Sequence, residues 1–156
     1  MNNTVPFSVK FKTIQTIYGA FIVAILAFSV VFYMSADNPV YIADMNDIFM
    51  TIVPIFSLVG IFVSNYIFKQ LLSKIAVTDS LDEKFAKYQS ATLVKGALLE
   101  APALFAIVAV VVSNNLVYFV FTAVLLLLMY LRFPKLSKFE MEVPLTKDEK
   151  TEIHNR

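Results

Sequence analysis

Four apolar runs, separated by short polar stretches, dominate the hydropathy pattern of the chain. A helix needs about 20 apolar residues to cross a bilayer. Residues 14–34 form the first run, bounded by Lys12 and Asp37, and residues 48–68 the second, bounded by Asp47 and Lys69. The third covers 92–112, its apolar stretch opening at Gly96 after Lys95, and the fourth covers 116–131, before Arg132. The last two apolar stretches rise roughly 25 Å each and should stand with little tilt. The pattern predicts an all-α integral membrane fold. It is a four-transmembrane-helix bundle, one domain over residues 1–134, with a tail at 135–156.

The connecting segments carry helix signals of their own. Ser113, Asn114 and Asn115 form a short turn, so the third and fourth spans make a tight antiparallel hairpin, with Asn115 placed to cap the fourth. In the loop at 69–91, Ser80 to Glu83 reads as a capping box, which opens a helix near Leu81 that runs unbroken into the third span. The second span continues past Lys69 through Leu71, Leu72 and Ile75, so the two form a helical hairpin extension between helices 2 and 3. In the tail, Thr146 to Glu149 is a second capping box opening a short, frayed helix, and Pro134 and Pro144 bound an extended link before it.

Charge orients these elements. The chain has 13 Lys and Arg residues, and with four spans all of them, from Lys10 and Lys12 to Arg156, fall on one side. The other side holds Asp37, Asp44 and Asp47 and no Lys or Arg. The positive-inside bias then places both termini and the central loop in the cytoplasm, and the protein in a bacterial inner membrane. The first run is too long for a signal-peptide core and lacks a small-residue cleavage site after it.

Composition agrees and narrows the function classes. Of 156 residues, 58% are hydrophobic and 16% charged, and the mean hydropathy is +0.72. A soluble domain is nearer half apolar and a quarter charged. With no Cys and a net charge of +1, a disulfide scaffold and a nucleic-acid binder are excluded. A single His, His154, removes most transition-metal sites. No phosphate loop, nucleophile elbow or zinc helix occurs. The sequence therefore calls for no enzyme, cofactor or metal. Its partners are the lipid bilayer and either a second copy of the chain or a membrane-complex subunit.

Small residues suggest where helices meet. Thr16, Ala20, Ala24 and Ala27 share one stripe of the first span, and Gly96 and Ala103 share one of the third, which predicts a close seam between the two. Gly60 offers the second span the same. Gly19 to Phe28 and Gly96 to Phe105 also align at a constant offset, a faint parallel repeat in which Glu100 stands where the first half has Val23.

Glu100 is the one acidic residue inside a span. It lies roughly 7 Å deeper than Lys95 by helix rise, and about 500° further round the helix, so the two side chains diverge. Its helical neighbours Gly96, Ala97, Ala103 and Leu104 are apolar, so it needs a partner on another helix, water or a proton. Pro102 frees the carbonyl of Leu98 and can kink the helix there. A carboxyl beside a freed carbonyl is a candidate proton, cation or ligand site, with Gln15, Tyr18, Ser64 and Asn65 at similar depth as candidate partners. The alternative is a hydrogen-bonded residue that holds helices together. Pro54 is read as a second kink, Ser29 and Ser57 as back-bonding to preceding carbonyls, and Tyr33, Tyr41 and Tyr130 as interface anchors.

Residues Gly96 to Phe105, with the four-span plan and basic tail, resemble uncharacterised bacterial four-span inner-membrane proteins carrying an ALLE-G/A-PALF signature. The likeness covers most of the chain and implies a fold and a location but no activity. The same stretch also looks like the carboxylate helix of the rotary ATP synthase proteolipid subunit. That likeness implies a hairpin with an ion-binding acid on its second helix, at Glu100. The chain departs from it in having only Gly19, Gly60 and Gly96, a longer loop and a shallower acid. Two functions follow as expectations. One is a non-enzymatic small subunit, scaffold or sensor of a membrane assembly. The other is an oligomeric proton- or ion-coupled transporter using Glu100.

Overall fold

The computed structural model describes residues 6–155. They form α1 (Phe7–Ser35), α2 (Phe49–Leu72), α3 (Leu81–Ser113), α4 (Phe119–Leu131), α5 (Leu136–Glu142) and α6 (Lys147–Asn155), with a 3-10 turn at Leu116–Tyr118 leading into α4. The helix α3 is the axis: α1, α2 and α4 all pack on it, α2 most extensively. The helices alternate in direction, so the described Lys and Arg residues gather at one end of the bundle and Asp37, Asp44 and Asp47 at the other.

Three helices, α1, α2 and α3, are long and apolar enough to cross a membrane. A fourth crossing exists only if the segment Leu116–Leu131 and α5 count as one span bent by 76°. An independent fourth span was the expectation. The helix α4 has 13 residues, a rise of roughly 20 Å, short of the about 30 Å hydrocarbon core. Large apolar side chains cover the outside of the bundle, among them Val31, Leu58, Phe62, Val112 and Leu127. Such a continuous exposed apolar surface does not suit water. It is consistent with a membrane-embedded helical protein.

The local signals act as the chain predicts in several places. Ser80 and Glu83 form a complete capping box, and α3 then runs 33 residues without a break. Asn114 ends α3 in the left-handed conformation at φ 50°, and the Asn115 side chain accepts from Val117 N to start the next turn. Both asparagines also stitch the loop 36–48 to this end. Asn114 Nδ2 donates to Asp37 O at 2.7 Å, Asn115 Nδ2 to Ile42 O at 2.7 Å, and the Tyr118 hydroxyl to Asp47. Neither Pro54 nor Pro102 interrupts its helix.

The basic end holds a second core, and the tail builds it. Phe139 of α5 is fully buried among Phe7 and Phe11 of α1 and Phe85 and Tyr88 of α3, at ring-centroid distances of 5.0–6.4 Å. Val143 and Ile153 join the same cluster. The tail helix expected to fray is therefore docked. Its capping box forms, with Thr146 N donating to Glu149 Oε2 at 2.7 Å and Glu149 N to Thr146 Oγ1 at 3.3 Å. The same carboxylate receives the fully buried Lys84 ammonium on both oxygens, each at 2.8 Å. Burial pushes the Glu149 carboxyl up, but Lys84 and the Thr146 donors outweigh it, so the group titrates below its ordinary value.

Two close helix approaches set the spacing of the bundle. A Cβ on Gly60 of α2 would lie 2.8 Å from Pro102 Cγ and 3.0 Å from Leu98 O. The carbonyl that Pro102 deprives of its helical partner is thus covered by the Gly60 backbone. A Cβ on Gly96 would lie 2.9 Å from the Tyr18 ring and 3.1 Å from the Phe21 ring. The seam of α1 with α3 is therefore made of glycine against aromatic rings. Ala103 is buried and Ala24 half-buried, while Ala20, Thr16 and Ala27 face outward. The expected small-against-small contact through Ala20 is corrected. Phe7, Phe11, Ile14, Tyr18 and Ile25, on another stripe of α1, are the buried residues.

These contacts predict opposite outcomes for two glycines. Gly60→Ala should destabilise by about 1–3 kcal/mol through overpacking. Gly19→Ala meets only Phe133 Cε2 at 3.9 Å and should be neutral or gain up to about 1 kcal/mol of helix propensity. Melting in detergent reads both, and a stabilising Gly60→Ala would contradict the close approach.

The buried ion pair gives a second prediction. Glu149→Gln leaves the Lys84 charge buried without its partner and should cost about 3 kcal/mol or more. Replacing both residues, Lys84→Met with Glu149→Leu, should cost less. Because the folded carboxyl titrates below its unfolded value, its contribution is present above about pH 4.5 and fades as pH falls through the folded value. Wild type should lose stability across that acid range, and the double variant should lose less of it.

Candidate functional site

Glu100 lies half-buried on α3, four residues beyond Gly96 and so on the flank of the α1 seam. It makes no hydrogen bond or ion pair among the described residues. Val23, its counterpart in the internal repeat, is 64% exposed, so both positions face the periphery of the bundle.

None of the four partners expected for Glu100 hydrogen-bonds to it among the described residues. Gln15 Nε2 donates to Pro134 O at 3.0 Å, tying α1 to the link after α4. Ser64 is buried and donates to Ile61 O of its own helix at 3.0 Å. Asn65 is half-buried beside it on α2. Tyr18 is fully buried, and its hydroxyl has no hydrogen-bond partner among the described residues. Gly60 covers the freed Leu98 carbonyl, so the pairing of carboxyl and carbonyl does not form. Leu98 and Glu100 are about 200° apart on the helix and face different neighbours. Among the described residues no hydrogen bond joins Glu100 to Gln15, Tyr18, Ser64 or Asn65.

Smaller expectations fare variously. Ser29 back-bonds to Ile25 O at 2.8 Å, whereas Ser57 is buried without a partner among the described residues. Tyr33, Tyr41 and Tyr130 are exposed. Among the described residues no group of acidic, His or Cys side chains could hold a metal ion. The His154 side chain and Arg156 lie outside the described residues.

A polar site lies at the basic end, where the tail meets α2 and α3. A cavity of ≈ 260 Å³ is lined by Phe68, Tyr88, Thr92, Lys95, Arg132, Lys138, Met141 and Glu142. Lys95 Nζ stands 3.8 Å from the centroid of the Phe68 ring, a cation–π contact. Arg132, Lys138 and Lys69 are close enough to repel its charge, and Glu142 to attract it. Lys138 Nζ donates to Leu131 O at 2.8 Å and to Phe133 O at 3.4 Å, which caps the end of α4. Arg132 Nη1 is buried with no hydrogen-bond partner among the described residues. Burial and the nearby Glu142 carboxylate push the Tyr88 phenol well above its ordinary value, so it stays neutral.

Sequence reasoning missed this site because its lining comes from four separated stretches, 68, 88–95, 132 and 138–142. The one available signal was that Lys95 and Arg132 each end an apolar run on the same side.

The isolation of Glu100 changes what its substitution should do. A partner left stranded would make Glu100→Leu costly. With no partner in place, Glu100→Leu should leave stability unchanged to within about 1 kcal/mol, or raise it, since an apolar side chain suits the surroundings better. A loss above about 2 kcal/mol in a detergent melt would reveal a partner and contradict the placement.

No family model, no curated protein and no solved structure matches the chain.

Proposed function

We propose that the protein is a non-enzymatic small subunit, scaffold or sensor of a membrane assembly in the bacterial inner membrane. In this reading four segments lie in the bilayer, the fourth short and turned at its end. Both termini, the link between α2 and α3 and the docked tail face the cytoplasm. The support for orientation is the segregation of charge: basic residues at one end of the bundle, Asp37, Asp44 and Asp47 at the other. The observation that carries the functional reading is Glu100. It is the only acid inside a predicted span, and among the described residues no side chain hydrogen-bonds or ion-pairs with it. A coupling carboxylate needs partners that hold its proton or cation and a route for them. The alternative, an oligomeric transporter working through Glu100, needs a second copy of the chain to supply both.

Two measurements on the full chain test this. Reporter fusions at Asn38 and Asn114 should report the periplasm, and fusions at Asp79 and after the tail the cytoplasm. A cytoplasmic signal at Asn38 would sink the topology. In proteoliposomes under an imposed pH gradient, wild type and Glu100→Gln should leak protons at the same background rate. A flux that the Gln variant abolishes would overturn the scaffold reading in favour of transport.

A further inference from the structure

The cavity at the basic end gathers three cationic side chains that have not spent all their donors. Arg132 presents a buried Nη1 with no hydrogen-bond partner among the described residues. Lys95 makes no hydrogen bond among the described residues and rests against the Phe68 ring. Lys138 gives two donors to the carbonyls ending α4 and keeps a third, since an ammonium carries three. Glu142 is the carboxylate among the lining residues, and it is exposed. Burying a guanidinium nitrogen unpaired costs free energy, and packing like charges around Lys95 adds to it. An anion in the cavity would remove both penalties.

The geometry points to a binding site for a phosphate-bearing anion in this cavity, formed by Arg132, Lys95 and Lys138. A guanidinium fork matches phosphate oxygens, and the two ammonium groups add point charges. The Thr92 hydroxyl and the neutral Tyr88 phenol, which lie beside one another in the lining, supply neutral polar groups. The cavity's ≈ 260 Å³ falls just below the about 300–1,000 Å³ of small-molecule sites, the scale of a headgroup. Lys95 and Arg132 each stand where an apolar run ends, the depth at which phospholipid headgroups lie. The phosphate comes either from an anionic phospholipid or from free phosphate in the adjoining water. Only the lipid source rests on the membrane orientation proposed above.

Melting of the full chain in nanodiscs tests this. Each variant is compared with its own melt in phosphatidylcholine alone, so that a folding cost is not mistaken for lost binding. The probes are phosphatidylglycerol mixed into the disc, and inorganic phosphate against chloride at matched ionic strength. Saturating the site should raise the melting temperature by roughly 5 °C. A rise with phosphatidylglycerol alone assigns the lipid source, and a rise with phosphate in the zwitterionic disc assigns the free anion. In either case Arg132→Gln and Lys95→Gln should each abolish most of the rise. Glu142→Gln, which removes the competing carboxylate, should enlarge it. If Arg132→Gln does not fold, Lys95→Gln decides. No rise with either probe, or a rise undiminished in the Gln variants, overturns the site.

Discussion

The buried contact of Lys84 with Glu149, beside the ring cluster around Phe139, is the constraint on which the basic end depends. A lysine with no exposed surface is tolerable only if its charge is met on the spot. The tail meets it with a carboxylate that its own capping box has already fixed in place. Phe139 fills the space between α1 and α3 at the same level, so the tail cannot leave without opening a cavity and exposing a charge together. The polar cavity inherits this dependence. Lys138, Met141 and Glu142 come from the tail, Arg132 from the end of α4, and Phe68, Tyr88, Thr92 and Lys95 from α2 and α3. Without the docked tail the cavity loses one wall.

A second constraint operates inside the bundle. Pro102 removes a donor from α3 and so leaves the Leu98 carbonyl without its helical bond. In a membrane that group has no water to turn to. The close approach of Gly60 covers it and packs against the proline ring at once. The glycine on α2 and the proline on α3 are therefore two halves of one contact. The Leu98 carbonyl is thereby occupied by α2 rather than by the carboxyl of Glu100.

Much of the helical architecture was legible in the sequence, because apolar run length and capping chemistry are local. Ser80 with Glu83 and Asn114 with Asn115 mark helix ends by side chains that act within a few residues of themselves. The form of the fourth segment was not legible, because length in residues does not show that Leu116 to Tyr118 coil as a 3-10 turn, nor that the chain bends between Leu131 and Leu136. The α1 seam was misjudged because the small stripe and the aromatic stripe of α1 are both apolar. Which one faces α3 is decided by the shape of Tyr18 and Phe21 against Gly96. The tail looked loose because α6 is polar nearly all round, and its anchor is a charge on another helix 65 residues away. The cavity was invisible for the same reason: nothing in the spacing of Lys95, Arg132 and Lys138 says that they converge.

Hydrogen exchange of the backbone amides of residues 139–153, on the full chain in nanodiscs, tests the docked tail most directly. The account predicts slow exchange at Phe139, Val143 and Lys150, whose amides donate to Lys135 O, Phe139 O and Thr146 O. That protection should collapse in Glu149→Gln and in Phe139→Ala while the amides of α3 beyond Gly96 stay protected. Exchange in the wild-type tail as fast as in an unstructured peptide would contradict it, and would remove the tail-side wall of the phosphate site as well.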